Sequence, residues 1–315
     1  MIPSIIWSPS YEVDIGPHVF ITAKYRRIRE RLLADGVVGE AHFVEPEPAT
    51  WKQLGTVHDA AYLRKIREGS LSRAEIVQME IPFSRDVART MRLMCGGTLL
   101  AGRRALSDGV AVHLGGGFHH AFRDHGEGFC MLNDVAVAAA ALLDEGAVRQ
   151  VAVVDLDLHQ GNGTASIFAA EPRVFTFSMH QEHNYPFVKP AGDLDVGLPD
   201  GTGDEVYLRL LRRRLPDVLD ARRPDLVLYL AGADPYRGDQ LGALRLSKSG
   251  LRGRDRTVLE ACRTRGIPVA VTLAGGYAQR LSDTVEIHYA TVCEAVRIAR
   301  SSSGAPSQDV SSDLH

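Results

Sequence analysis

The sequence predicts an α/β domain in which an open, mostly parallel sheet is covered by helices on both faces. Three observations carry this reading. Short apolar runs rich in β-branched residues alternate with longer helical patterns. Most of these runs are nearly continuous in hydrophobicity, as parallel strands are when both faces are covered. No internal repeat and no compositional break divides the chain, so the alternation belongs to a single three-layer α/β/α domain.

In chain order the expected elements are a helix over 85–106, a strand over 110–114, a helix over 133–145, and strands over 151–158 and 174–178. A helix over 206–219, a strand over 226–231, a helix over 248–265 and a strand over 269–273 follow. Earlier, Lys24-Tyr25-Arg26-Arg27-Ile28-Arg29 lies in a helical stretch and reads as a solvated basic face. The length of 315 residues suits one large domain, over 1–300. Residues 301–315 are polar and aperiodic and read as a disordered tail.

Lysine plus arginine is 36 and aspartate plus glutamate is 39. Such a balance lacks the concentrated positive field that tight nucleic-acid binding needs. The four cysteines, Cys95, Cys130, Cys262 and Cys293, form no C-x-x-C pair and no disulfide framework. That spacing suits a reducing compartment. The N-terminus has no basic segment before its short apolar part, and no apolar run reaches the roughly 18 residues of a membrane span. A cytoplasmic protein is expected; the sequence does not fix its oligomeric state.

Sites in such sheets form beyond the C-terminal ends of the strands. Four expected strands deliver polar groups there. The run over 110–114 leads into Gly115-Gly116-Gly117-Phe118-His119-His120. The run over 151–158 carries Asp155, Asp157 and His159, the run over 226–231 leads to Asp234, and the run over 269–273 leads into Ala274-Gly275-Gly276-Tyr277. On an extended chain Asp155, Asp157 and His159 project to one side. Two carboxylates on an otherwise apolar strand are expensive to bury, and a cation removes that cost. Asp157, His159 and Asp234 offer two oxygens and a nitrogen. Three protein ligands with open positions describe a catalytic metal site. The set suits zinc and also accepts ferrous iron or cobalt. A lone D-x-D-x-H is more often an ordinary strand end. The following Gly161-Asn162-Gly163 and the separate Asp234 favour the metal.

The glycines before His119 and His120 let the backbone turn tightly and approach a ligand. They fail as a nucleotide loop, because the sixth position of G-x-G-x-x-G is His120. Two adjacent histidines beside a metal site suit acid and base. Asp155 can hydrogen-bond one of these imidazoles and raise its basicity. Tyr277 can donate its hydroxyl to a developing oxyanion.

In this chain order the segments resemble the zinc-dependent histone deacetylase family. Those already quoted are joined by Gly128-Phe129-Cys130 with Asn133-Asp134, Ser178-Met179-His180, and Gly232-Ala233-Asp234 with Gly238-Asp239. The spellings His159-Gln160-Gly161-Asn162-Gly163 and Arg237-Gly238-Asp239-Gln240-Leu241-Gly242 look most like the class IV branch and its bacterial relatives. The resemblance implies the arginase/deacetylase fold and hydrolysis of acyl-lysine amides. It implies zinc on Asp157, His159 and Asp234, His119 and His120 together as the general base and acid pair, and Asp155 orienting His119. Tyr277 becomes the oxyanion donor. Gly128 lends a carbonyl to the substrate amide, and Phe129 and Tyr185 wall a tunnel. A structural potassium ion is implied on Asp155, Asp157, His159, Ser178 and Met179, and an outer one on carbonyls of Phe168, Glu171 and Val174. Lys24 stands where class I members carry an arginine near the acetate-release cavity. Asn162 replaces a class I aspartate and leaves His120 without a charged partner. No acidic rim residue has a clear match over 73–83. The class IV likeness suggests tolerance of long acyl chains.

Three further readings compete. Acetylated small amines such as acetylpolyamines are alternative substrates to an acyl-lysine protein or peptide. An arginase-like ureohydrolase needs two metals, and Gly161 stands where the second would need a ligand. A scaffold that binds acyl-lysine without cleaving it has no need of both histidines and Tyr277.

Overall fold

The computed structural model describes residues 2–301. Among them, eight strands form one sheet. They are β1 (Ser4–Ile6), β2 (Phe43–Val44), β3 (Val110–His113), β4 (Val151–Asp155), β5 (Val174–Gln181), β6 (Leu194–Leu198), β7 (Leu226–Leu230) and β8 (Val269–Thr272). Their order is β2-β1-β3-β8-β7-β4-β5-β6, and every ladder is parallel. The helices are α1 (Lys24–Ala34), α2 (Trp51–Leu54), α3 (Ala60–Glu68), α4 (Arg73–Met79), α5 (Arg85–Asp108), α6 (Asp134–Asp144), α7 (Asn162–Phe168), α8 (Asp204–Arg222), α9 (Lys248–Thr264) and α10 (Leu281–Ser301). Ser301 closes α10, and the rest of the segment expected as a tail lies outside the described residues.

The central strands alternate as a sheet buried on both faces must. Val151 and Val153 pack with Met91 and Met94 of α5 and Val135 of α6. Ala152 and Val154 face the opposite way, with Leu211 of α8, Val258 of α9 and Val292 of α10. Every strand and helix expected from the sequence is present, with shifted ends. β5 runs on to Gln181 because β6 pairs with its last five residues. Among the described residues no helix is long and apolar enough to cross a membrane.

One buried cation ties the sheet to α9. Arg254 is 0% exposed. Its Nη1 donates to the carbonyls of Gly232 at 2.6 Å and Leu156 at 3.1 Å, and its Nε donates to Asp255 at 2.9 Å. Asp255 also accepts from the Tyr229 hydroxyl and from Thr291, both at 2.6 Å. Leu156 precedes Asp157, and Gly232 lies two residues before Asp234. The guanidinium therefore pins both turns that leave β4 and β7. Removing one member of a buried pair strands the other, at a cost of about 3–5 kcal/mol. Arg254→Met should lose stability on that scale in urea unfolding. An unchanged unfolding midpoint would show that the clamp is dispensable.

Candidate active site

β3, β8, β7 and β4 are neighbours in a parallel sheet, so their C-terminal ends open at one edge. The ladder of β4 stops at Asp155, opposite Ser178 and Leu230. The Leu156 N–H still donates to the Leu230 carbonyl at 3.1 Å, and beyond it the backbone N–H groups leave strand pairing for carboxylates. Asp157 N–H donates to Asp155 Oδ1 at 3.1 Å, Leu158 N–H to Asp234 Oδ1 at 3.0 Å, and His159 N–H to Asp157 Oδ1 at 3.0 Å. The expected strand over 151–158 is thus three residues too long, and Asp155, Asp157 and His159 do not share a strand face. Asp155 turns to His119, while Asp157 and His159 turn to Asp234.

Asp157, His159 and Asp234 are buried and offer ligand atoms within 4.8 Å of one another. His159 Nδ1 lies 3.2 Å from Asp157 Oδ1 and 3.4 Å from Asp234 Oδ2. Burial, and then the charge of Asp157, push Asp234 up to about 7. Burial opposes charge on His159, yet its contacts with Asp157 and Asp234 outweigh it and raise the imidazole to about 10. The cluster thus favours a positive charge in its midst. Asp234 Oδ2 is buried without a hydrogen-bond partner, and a Cβ on Gly275 would strike that same oxygen. Two oxygens and a nitrogen around a cradle that only glycine leaves open fit a divalent cation.

The histidines sit on a loop shaped by Asp134. Its carboxylate accepts from the N–H of Gly117 at 3.0 Å and of Phe118 at 2.7 Å. Gly116 and Gly117 adopt φ of +72° and +84°, where a side chain is strained. His119 Nδ1–H donates to Asp155 Oδ2 at 2.7 Å. Burial disfavours charge on His119, but Asp155 and then Asp157 raise it to about 9. His120 Nδ1 lies 2.7 Å from Asn162 Oδ1, and burial, then His119, hold it well below the ordinary range. The two Nε2 atoms are 3.1 Å apart. With both Nδ1 atoms protonated, a hydrogen bond between the rings requires a further proton on one Nε2.

Tyr277 lines the same cavity as His119, His120, Asp157 and His159. Its backbone N–H donates to Asp239 at 2.7 Å, and its ring meets Phe20 and Phe129 edge-on. This inner cavity has about 20 Å³ of free space, room for roughly one water. An outer cavity of about 270 Å³ joins it to the surface between Gly128, Phe129, Tyr185 and Tyr277. The Tyr185 ring stands 5.0 Å from that of His120. The Gly128 carbonyl accepts from the Cys130 thiol at 3.3 Å. Ser178 is the ladder partner of Asp155, with Met179 next to it, and its hydroxyl is 2.9 Å from His180 Nδ1. The carbonyls of Phe168 and Glu171 accept from Glu171 N–H and Val174 N–H. Lys24 is fully buried, donates to the Ala274 carbonyl at 3.0 Å, and is lowered to about 8 by burial.

Four participants escape a linear reading: Arg254 behind the metal turns, Glu80 and Phe187 at the mouth, and Glu127 beside Asn162. Glu80 places a carboxylate at the rim within the segment 73–83, where the sequence offers no clear match. The Asn133-Asp134 pair was the only local sign of the loop support.

A family model described as the histone deacetylase domain matches residues 18–292. An uncharacterised protein of Picosynechococcus sp. is 40% identical over 285 residues, 90% of this chain and 95% of that one. Histone deacetylase 2 of Arabidopsis thaliana is 33% identical over 301 residues, 90% of this chain and 78% of that one. A probable deacetylase of Methanothermobacter thermautotrophicus is 29% identical, covering 87% and 85%. The crystal structure of the HDA15 HD domain superposes with a TM-score of 0.77 at 24% identity, covering 94% of this chain and 89% of that one. The architecture is the arginase/deacetylase fold. The chain belongs to the histone deacetylase family.

Asp157→Ala, His159→Ala or Asp234→Ala should each weaken binding of a titrated divalent cation by more than the roughly 10–100-fold that an outer partner is worth. Chelator competition measures this. One ion per chain is expected in the parent protein, and two tight ions would instead favour the ureohydrolase chemistry.

Proposed function

We propose that this chain is a zinc-dependent deacylase that hydrolyses the amide on the ε-amino group of an acylated lysine, in a protein or peptide. The single observation that carries the reading is the convergence of the Asp157–His159–Asp234 cluster, the His119–His120 pair and Tyr277 on one small cavity at the end of an apolar tunnel. Zinc on the cluster would polarise the scissile carbonyl and lower the pKa of a water. Ferrous iron or cobalt suits the same donors. A potassium ion would sit behind, on Asp155, Asp157, His159, Ser178 and Met179.

The chain's own groups divide the remaining work. His120, neutral with its proton on Nδ1, would accept the proton of the attacking water at Nε2, in place of its contact with His119. His119, held charged by Asp155, supplies the proton that the leaving amine needs. Tyr277 donates its hydroxyl to the carbonyl oxygen as negative charge grows there. Phe129 and Tyr185 enclose the lysine methylenes and exclude water, and the Gly128 carbonyl accepts from the substrate amide N–H.

The inner cavity bears on acyl length. Its space of roughly one water, lined by Phe20, Phe118 and Tyr277, is nearer to the size of an acetyl group than to that of a long chain. A myristoyl tail is many times larger, so we favour short acyl groups over the long ones that the class IV likeness suggests. Glu80 at the rim favours a second substrate class, acetylated small amines, because its carboxylate would meet a free ammonium group.

A panel of acetyl-lysine, myristoyl-lysine and acetylpolyamine substrates on zinc-loaded protein tests the reading. Acetyl-lysine should give a higher kcat/KM than myristoyl-lysine. No turnover of any of them would leave a binding scaffold. Tyr277→Phe should keep the fold and the metal and lower kcat by roughly a hundred- to a thousandfold. KM should change far less, since the hydroxyl acts mainly as charge develops.

A further inference from the structure

We infer that Glu127 is a positioning residue for this reaction: its carboxylate sets the direction of the Asn162 amide, which in turn keeps the proton of His120 on Nδ1. The inference rests on the function proposed above. His120 faces the amide of Asn162, where the resemblance implies an aspartate in class I members, and an amide has two ends of nearly equal shape. With Oδ1 toward the imidazole, it accepts from Nδ1–H and leaves Nε2 unprotonated. With the amide reversed, Nδ2 donates to Nδ1, the proton of the neutral ring moves to Nε2, and the acceptor is lost.

Glu127 decides between the two. The Asn162 Nδ2 donates to Glu127 Oε1 at 2.8 Å while Oδ1 lies 2.7 Å from His120 Nδ1. An ionised carboxylate only accepts, so the reversed amide would set oxygen against oxygen. Glu127 is held ionised, its carboxyl lowered to about 2 chiefly by His125, whose Nε2 is 3.5 Å from Oε2. The Tyr185 hydroxyl donates to Oε1 at 2.6 Å. The backbone of Glu127 is fixed as well. It exchanges hydrogen bonds with Cys130 at 3.0 and 2.9 Å, across a turn whose central residues, Gly128 and Phe129, both have positive φ. A turn with two positive φ values suits a tight hairpin. The charge missing from the residue that touches His120 is thus present one side chain further out.

Four variants and the parent test this. Glu127→Leu removes the acceptor and should lower kcat roughly ten- to a hundredfold, with KM little changed. Glu127→Gln can still present an oxygen to Asn162 and should keep most of kcat. Asn162→Asp alone places two carboxylates side by side and should slow the enzyme. The same change in Glu127→Leu gives His120 a direct carboxylate and should recover much of the loss. Zinc content and melting temperature check that each variant folds. A normal kcat in Glu127→Leu, a loss confined to KM, or no recovery in the double variant overturns the inference. Independently of any substrate, the ¹⁵N shifts of His120, assigned with His120→Ala, should report the Nδ1–H form in the parent and a mixed form in Glu127→Leu. A parent protein inactive on every acylated amine ends the proposed function, while identical His120 tautomers in parent and Glu127→Leu end this one.

Discussion

Buried negative charge at one edge of the sheet is the constraint around which this protein is arranged. Asp157 and Asp234 lie in the interior, where an unpaired carboxylate is strongly unfavourable. The chain answers from three directions. Arg254 takes the carbonyls of Leu156 and Gly232 from behind, so that the turns themselves are tethered to a cation. The N–H groups of Leu158, His159 and Gly275 point at the carboxylates from the sides. His159 closes the group from the front. What is left is one face, at Asp234 Oδ2, which has the His159 imidazole 3.4 Å away but no hydrogen-bond partner. A buried oxygen with no donor is costly unless a ligand satisfies it, and the proposed divalent cation would do so.

The parallel topology makes such a cluster possible. Asp157 and Asp234 are far apart in sequence, but β4 and β7 are adjacent and in register from Val151 opposite Leu226 to Asp155 opposite Leu230. Two parallel strands of equal length end together, so the turns that follow them meet. β8 ends beside β7, which brings Gly275 against both carboxylates and sets Tyr277 over the cavity. β3, on the far side of β8, delivers the histidine loop. No single turn holds the site; the sheet edge does.

Much of this was legible in the sequence because burial on both faces leaves an unmistakable apolar run. The five strands read from such runs include the four that carry the site. β1, β2 and β6 were not, since two or three residues make no pattern and the half-exposed edge strand Leu194–Leu198 mixes polar with apolar residues. The end of β4 misled for a physical reason. D-x-D-x-H alternates as a strand does, but its N–H groups find carboxylates more accessible than a neighbouring strand. The residues of the Asp157–His159–Asp234 cluster and of the histidine pair were readable as polar residues at the ends of apolar runs. Arg254 was not, because an arginine in a helix rich in arginine reads as surface, and its burial is visible only when α9 lies on the sheet. Nor was Glu127, whose meeting with Asn162 spans 35 residues.

The two imidazoles touch, yet they are anchored to different parts of the molecule. His119 is bonded to Asp155, the last ladder residue of β4, and so shares the rigidity of the central sheet. His120 is bonded to Asn162 at the start of α7, and through it to Glu127 on the hairpin that also forms the tunnel wall. The same Glu127 oxygen receives Tyr185 from the opposite wall. A side chain in the proposed tunnel would lie against the groups that hold His120, while the support of His119 comes from the sheet. Under the proposed roles, the histidine that accepts a proton is bonded through side chains to the tunnel wall, and the histidine that supplies one is bonded to the sheet. A paired aspartate at position 162 would give His120 its own local charge and break that link.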